Sequence, residues 1–481
     1  MRTVTRRMAL SAGAGLALAP AASEAAAGDD ALARRLRQHC ERLVRTEGFS
    51  GAVCLMRRER VLFQRAYGLR NRGEGLPNLI DTKFNFASIG KLFTSLAILR
   101  FVEMGRLNLH ASLIEAWPDY PNRSVAERIT IAQILTHTAG LGNAMLFKPK
   151  VGFTAASTQS DYVRLFVDEP LSSQPGSDPA YSNDGYVLLG ALIERLSGLD
   201  FREHCRTTIF APLGMQDTGY FAPDDVVANI AVPYVRDLER PGVWRAALAS
   251  DGLPGSAAGG GCSTVGDLAR FAAAMNAGRL LGADLTRAWT QGRVPFRNGQ
   301  YGYGVQMEAI NGRRLIGHSG GHYGVAGELM IFDDDHIVLV LSNGEVEPFW
   351  DLASFVRTEI AGENDASRNF QFTRALVDVI ATQGPEAGLT LSAANAERSV
   401  REGVIDVYGF RAWHGGNAVG AENLLLFNMQ KFPDSLSACW SIAEFYRYAR
   451  RNNEAIAAYR AFLQRQPGDE DALAYIARLG G

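Results

Sequence analysis

Lysine is nearly missing from this chain. Of 49 basic residues, only Lys83, Lys91, Lys148, Lys150 and Lys431 are lysines. A lysine set in an apolar helix therefore stands out, and Lys91 is such a residue. Cysteine motifs are missing too. Cys40, Cys54, Cys205, Cys262 and Cys439 are odd in number and widely spaced, with no CxxC or Cys/His cluster among them. That excludes a structural zinc site and names no disulfide pair, so buried thiols are expected. No metal and no cofactor is called for. A basic field is also lacking: the formal net charge is −2, and without residues 1–27 it is more negative. Nucleic acid is excluded as a partner on that ground. His318 is followed by no plausible triad arrangement, which ranks a Ser-His-Asp hydrolase last.

What the chain does have begins with an export pattern. Arg2, Arg6 and Arg7 form a basic start, residues 8–22 are small and apolar, and Ala25-Ala26-Ala27 offers a cleavage site. Thr5-Arg6-Arg7-Met8-Ala9-Leu10 resembles a twin-arginine address. Residues 1–27 are thus expected to be an export signal, and the mature chain periplasmic or secreted. The apolar stretch is too short and alanine-rich to span a membrane comfortably.

At 481 residues the chain has room for two or three domains. Residues 30–46 read as an amphipathic helix capped by Asp29 or Asp30. Runs at 50–57 and 60–68 read as a hairpin turned at Arg58-Glu59. Residues 88–104 form a helix with Ile89, Leu92, Phe93, Leu96, Leu99 and Val102 on one face and Gly105 at its end. Further helices are expected at 130–136, 183–197, 200–207 and 264–277. Between 301 and 343, short β-rich runs broken by glycine and Asn-Gly predict an antiparallel meander, followed by a helix at 348–361. The natural assembly is α+β: one antiparallel sheet closed from both chain ends, with a helical insertion beside it. Residues 363–395 are expected as a helical linker. From 396 to 481 the chain reads as an all-α tail. Its proline stops at Phe432-Pro433 and Gln466-Pro467 echo at about 34–35 residues, the tetratricopeptide period. The plainer alternative is a helical extension with a chance echo. Two repeats are few, so the tail should pack on the main domain.

Three short motifs carry chemistry. Ser88-Ile89-Gly90-Lys91 opens the apolar helix and sets Lys91 one turn from Ser88. A serine hydroxyl needs a base, and lysine can be one only when neutral, which burial favours. In Tyr181-Ser182-Asn183 the tyrosine can relay a proton and the asparagine can donate and accept at once. In His318-Ser319-Gly320-Gly321, glycines at a strand end let a substrate lie close to the backbone, and an amide there could pair with that of Ser88 around an oxyanion. Alone, each has a plainer reading: a capping serine with a surface lysine, a turn with an asparagine cap, a loop histidine.

Taken in this order, with about 90 and then about 135 residues between them, the three motifs resemble those of the serine β-lactamase-related hydrolases. That family includes class C β-lactamases, D-alanyl-D-alanine carboxypeptidases, D-aminopeptidases and esterases. Thr136-His137-Thr138-Ala139-Gly140-Leu141, Pro212-Leu213-Gly214-Met215, the glycines 259–261 with Ser263-Thr264, and Tyr301-Gly302-Tyr303-Gly304 fit as well. The resemblance covers about 30–362, so residues 28–362 are expected to form a β-lactamase/transpeptidase-like domain. It implies that Ser88 is acylated and that Lys91 and Tyr181 move the proton. It implies that Asn183 holds the acyl amide and Lys91, and that the Ser88 and Gly321 amides, beside Gly320, form the oxyanion hole. His318 stands where β-lactamases of this type carry a lysine. A neutral imidazole there leads to an expected preference for uncharged esters or amides over penicillins. His137 and Tyr303 are expected to be structural. The substrate should be a small molecule or peptide-like, and the tail is open to a protein partner. The competing reading is a catalytically weak protein that binds cell-wall fragments or acts as a scaffold through its tail.

Overall fold

The computed structural model describes residues 19–144, 158–221, 225–248 and 255–480, with backbone alone for 19–26. The export pattern therefore lies largely outside the described residues. Helix α1 spans Ala19–Glu47, longer than the 30–46 expected. Its alanine-rich start has high helix propensity and carries the helix through Asp29 and Asp30, so neither is a cap. Asp29 is instead buried, and it pairs with Arg57 at 3.1 Å and Arg60 at 3.3 Å, fastening α1 to the first hairpin.

That hairpin is β1 (Gly51–Arg57) and β2 (Arg60–Tyr67). Arg58 turns it in the left-handed region, at φ 55°. The other strands of the sheet are β3 (Val294–Phe296), β4 (Gly299–Tyr301), β5 (Gln306–Ile310), β6 (Arg313–His322), β7 (Val325–Phe332) and β8 (His336–Ser342). Their order is β2-β1-β8-β7-β6-β5-β4-β3 and every pairing is antiparallel. The two chain ends meet where Gly51 pairs with Ser342 and Arg57 with His336. Alternate β1 side chains enter opposite cores. Ala52, Cys54 and Met56 join the helical insertion, while Val53 and Leu55 join α1 and the helix that follows the sheet. A central strand buried on both faces is almost continuously apolar for that reason. Within the expected meander the chain turns at 302–305, where Gly302 N donates to Val305 O, and Gln306 resumes the sheet.

The insertion is built round α2 (Lys91–Glu103), with α3 (Asn183–Ser197) and α4 (Val265–Asn276) packed in the same core. The sequence pattern gives α2 one apolar face. In the fold, every residue from Lys91 to Leu99 is buried, because the sheet and the insertion's other helices enclose it. Cys40, Cys54, Cys205 and Cys439 are buried thiols. Among the described residues no helix is long and apolar enough to cross a membrane.

After the sheet come α5 (Val346–Ala361), α6 (Asp365–Gln383), α7 (Pro385–Ala394), α8 (Glu402–His414), α9 (Ala418–Lys431), α10 (Leu436–Tyr448), α11 (Asn452–Leu463) and α12 (Glu470–Arg478). The stretch 363–395 is helical as expected, but it is not strung between two bodies. Phe370, Leu376 and Ile380 of α6 share one core with Ile405 and Tyr408 of α8 and Leu424 and Phe427 of α9. The tail docks on the main body through α5, whose Trp350 packs against the tail core, and through the end of α1. Buried Glu47 accepts from Arg374 at 2.9 Å and from the Tyr408 hydroxyl at 2.8 Å. Arg411 donates to the Glu47 carbonyl at 3.2 Å, and Trp413 Nε1 donates to Leu238 O at 2.8 Å.

Removing Glu47 leaves Arg374 and Tyr408 without their shared acceptor. Glu47→Ala should lower stability by roughly 3 kcal/mol, the range for breaking a buried charged pair. Urea denaturation checks this, and unchanged stability would mean that docking does not depend on the carboxylate.

Candidate active site

Ser88 lies in a 3-10 turn, Ala87–Gly90, and not at the start of the α-helix as the pattern suggested; α2 begins at Lys91. The turn is tied by Ala87 N to Asn85 Oδ1 at 2.8 Å and by Ile89 N to Phe86 O at 3.1 Å. Ala87 sits at φ 44°, a left-handed conformation that L-residues adopt at a cost and that packing must hold in place. A three-residue turn stacks residues i and i+3, so Lys91 falls directly over Ser88.

The Lys91 side chain is wholly buried. Its Nζ lies 3.2 Å from Ser88 Oγ, 2.8 Å from Asn183 Oδ1 and 2.5 Å from Ala258 O. The rings of Tyr181 and Tyr186 stand at 4.8 and 5.3 Å. No carboxylate is among these partners. Burial alone pushes the Lys91 ammonium well below its usual range. A neutral amine has two hydrogens and one lone pair. With the hydrogens on Asn183 and Ala258, the lone pair is left for the Ser88 hydroxyl. The Ala258 carbonyl reaches this point because Gly259 follows it: a Cβ there would stand 2.8 Å from the Ala87 carbonyl.

Tyr181 and Asn183 come from the segment entering α3. His137 brackets that segment. Its carbonyl accepts from Ala180 N at 2.9 Å, its Nδ1 from Ser182 N at 3.1 Å, and its ring lies 4.3 Å from that of Tyr181. Asn143 completes the frame. Its Oδ1 accepts from Asn183 N at 2.7 Å and Asn183 Nδ2 at 3.1 Å, and its Nδ2 donates to Tyr181 O at 2.7 Å. Asn183 is thereby oriented with its oxygen on Lys91. The helix cap is Ser182, which accepts from Gly185 N at 3.0 Å. Burial raises the Tyr181 phenol above its ordinary range; a hydrogen bond with Ser88 and the charge of Arg297 work against that rise.

The strand motif comes up beside Ser88. A Cβ on Gly320 would stand 2.5 Å from Ser88 N and 3.0 Å from Phe86 O, so only glycine lets β6 lie against the turn. Gly321 follows, paired with Ala326. His318 faces the same side of the sheet and is buried. Its Nδ1 lies 2.6 Å from its neighbour's carbonyl, Ser319 O, and must donate there; its Nε2 then accepts from the Tyr301 hydroxyl at 2.9 Å. Burial, foremost, pushes the imidazole down to about 3. His318 is therefore neutral with both nitrogens engaged.

All seven predicted site residues thus gather at one place: Ser88, Lys91, Tyr181, Asn183, His318, Gly320 and Gly321. The sequence reading missed Asn143 and Tyr301; His137, expected to be structural and to pack near the site, does pack there, against Tyr181. Tyr301 and His137 lay in motifs quoted for their fit alone; Asn143 carried no signal.

The fold and this cluster define a class, and comparison with known proteins gives the same one. Residues 4–361 match the family model "Beta-lactamase". The chain is 28% identical over 341 residues to penicillin-binding protein 4* of Bacillus subtilis (strain 168), covering 66% of this chain and 74% of that protein. It is 33% identical over 217 residues to esterase EstB of Burkholderia gladioli, covering 42% of this chain and 55% of the esterase. Among solved structures, a penicillin-binding protein of Bacillus halodurans superposes with TM-score 0.59 at 28% identity, over 66% of this chain and 98% of its own. A D-amino acid amidase of Ochrobactrum anthropi, at 22% identity, shares the fold with TM-score 0.58, over 69% of this chain and 99% of its own. The chain belongs to the beta-lactamase family and is a hydrolase of the serine type that family contains. Its helical tail beyond 361 lies outside the family match.

A histidine held below its ordinary 6.5 makes stability depend on pH. Between about 3 and 6.5 the unfolded chain binds a proton at this position that the folded chain does not. The stability contributed by neutral His318 is therefore complete above 6.5 and is lost as pH falls towards 3. Replacing His318 by Gln should flatten the fall in unfolding free energy across pH 4–6 by about one proton. An unaltered slope in denaturant titrations would mean that His318 is protonated in the native state.

Proposed function

We propose that the protein hydrolyses an ester or amide of a small or peptide-like substrate through an acyl-enzyme on Ser88. One observation carries this: a buried lysine with no carboxylate partner among the described residues rests its Nζ on a serine hydroxyl, its other hydrogen-bond partners being two oxygens. Ser88 Oγ attacks the carbonyl carbon while its proton passes to the Lys91 lone pair. The oxyanion that forms is met by the Ser88 and Gly321 amides, a preorganised pair of the kind that stabilises such charge most. Tyr181, protonated in its buried position, gives its proton to the departing oxygen or nitrogen, and Lys91 returns one to Tyr181. Water then attacks the acyl carbon, the Lys91–Tyr181 pair takes its proton, and Lys91 hands a proton to Ser88 Oγ as it leaves, which restores the starting state. Asn183, fixed by Asn143, holds Lys91 on one side and the acyl amide on the other. The arginine-led amino terminus supports export, and hence a periplasmic or secreted site of action.

Ser88→Ala should abolish turnover of phenyl acetate and remove labelling by a fluorophosphonate, with the circular dichroism spectrum unchanged. Lys91→Ala should lose roughly three orders of magnitude or more, because the two groups act as a unit. Retained turnover in Ser88→Ala would sink the mechanism. Tyr181→Phe should slow an alkyl ester far more than an aryl ester, since a phenolate leaves without a proton. Equal losses on both would take the acid role away from Tyr181.

A further inference from the structure

On the face of the sheet that α1 and α5 cover, the tail borders a cavity of about 490 Å³. That volume suits a small organic molecule. Its floor is β5 with parts of β6 and β7, one wall is α5, and the starts of α6 and α8 close it. Phe349, Trp350, Phe370 and Val404 give it an apolar part. Two acids, Glu308 and Glu328, also line it, but Arg357 engages both. Its Nε and Nη2 each lie 3.2 Å from a Glu308 oxygen, and its Nη1 lies 3.0 Å from Glu328, which accepts from Nη2 as well. Arg401, at the opening of α8, has no such partner. Its guanidinium donates to Ala366 O at 3.1 Å and lies 5.8 Å from the centre of the Phe370 ring, and no carboxylate pairs with it among the described residues. Burial, then the charge of Arg357, holds that guanidinium below its ordinary range, so its surroundings add a second cation and no balancing anion. Two further groups on the cavity are open. Thr358 Oγ1 is buried with no hydrogen-bond partner among the described residues. Thr373 and Thr390, by contrast, turn their hydroxyls back to the carbonyl four residues earlier, at 2.8 and 2.9 Å, as helical threonines do. The start of α8 carries no side-chain cap, and Gly403 in its first turn lines the cavity, where a Cβ would meet nothing within 4 Å. The first amides of a helix favour an anion when nothing caps them.

We propose that this cavity between sheet and tail is a binding site for a small aromatic carboxylate, separate from the catalytic cleft. The ring lies among Phe349, Trp350 and Phe370. The carboxylate is received by Arg401, by the amides at the start of α8 and by the Thr358 hydroxyl as donor. One unpaired cation calls for one negative charge, which a carboxylate carries and a phosphate dianion exceeds. Ser319 lines the cavity from β6, so the occupant lies against the back of the strand that carries Gly320. The site does not depend on the acyl-enzyme reading.

The test titrates the full chain by calorimetry with 2-naphthoate and with 2-naphthamide, which differ in charge and little in shape. The acid should bind saturably and the amide roughly tenfold more weakly, the effect of one charge-assisted hydrogen bond, and added salt should narrow the gap. Arg401→Gln should bring acid and amide to nearly equal affinity. Ser354→Phe, which places a ring in the cavity from α5, should abolish binding of both. The circular dichroism spectra of both variants should match that of the unaltered chain. Absence of saturable binding of the acid, equal binding of acid and amide, or binding undiminished in Arg401→Gln overturns the proposal. Binding that survives Ser354→Phe but is lost once a fluorophosphonate occupies Ser88 puts the acid in the catalytic cleft and overturns it too.

Discussion

The contact between Lys91 Nζ and Ser88 Oγ, made by an amine that is wholly buried, is the constraint around which the rest is arranged. A buried ammonium without a carboxylate is costly, so the group gives up its proton. That single loss turns a structural liability into a base at neutral pH. It also dictates the surroundings. The amine's two hydrogens need acceptors, and the Asn183 amide and the Ala258 carbonyl provide them from segments 92 and 167 residues away in sequence. The helical insertion and its glycine run are shaped by having to deliver those two oxygens to one point.

Each deliverer is in turn held by something less conspicuous. Asn143 ties Asn183 and Tyr181 together through three hydrogen bonds, and His137 grips the chain on both sides of Tyr181. The sheet supplies the opposite wall, where Gly320 lets β6 come within reach of the Ser88 amide. The rings of His137, Tyr181, Tyr301 and Phe296 seal this wall to the helical one. Their low dielectric keeps His318 and Lys91 uncharged and Tyr181 protonated, so one packing decision sets three protonation states at once.

The helical tail is coupled to this body through the end of the first helix. Glu47 closes α1 and serves as the anchor for α6 and α8, while α1 itself covers the face of the sheet opposite the catalytic side. The sheet, the layer of α1 and α5 on it, and the tail thus follow one another, and the helices of 365–394 share the tail's core.

Local rules made much of this readable beforehand. Alternation and turn residues marked the β1–β2 hairpin and the closing meander, and the three-residue spacing of Ser88 and Lys91 put both on one turn whether it was 3-10 or α. Glycine and a rare lysine pointed to the same place. Some expectations failed where a neighbour distant in sequence decides. Asp29 looks like a cap until Arg57 and Arg60 are seen beside it, and α2 looks one-faced until both of its sides are enclosed. By itself the sequence determined which polar side chains the three motifs contain and in what order they occur. Only the tertiary structure decided that Lys91 is neutral and that His318 turns both nitrogens away to Ser319 and Tyr301. Protonation and orientation depend on desolvation and on partners brought together from remote segments, and neither is a property of local spacing.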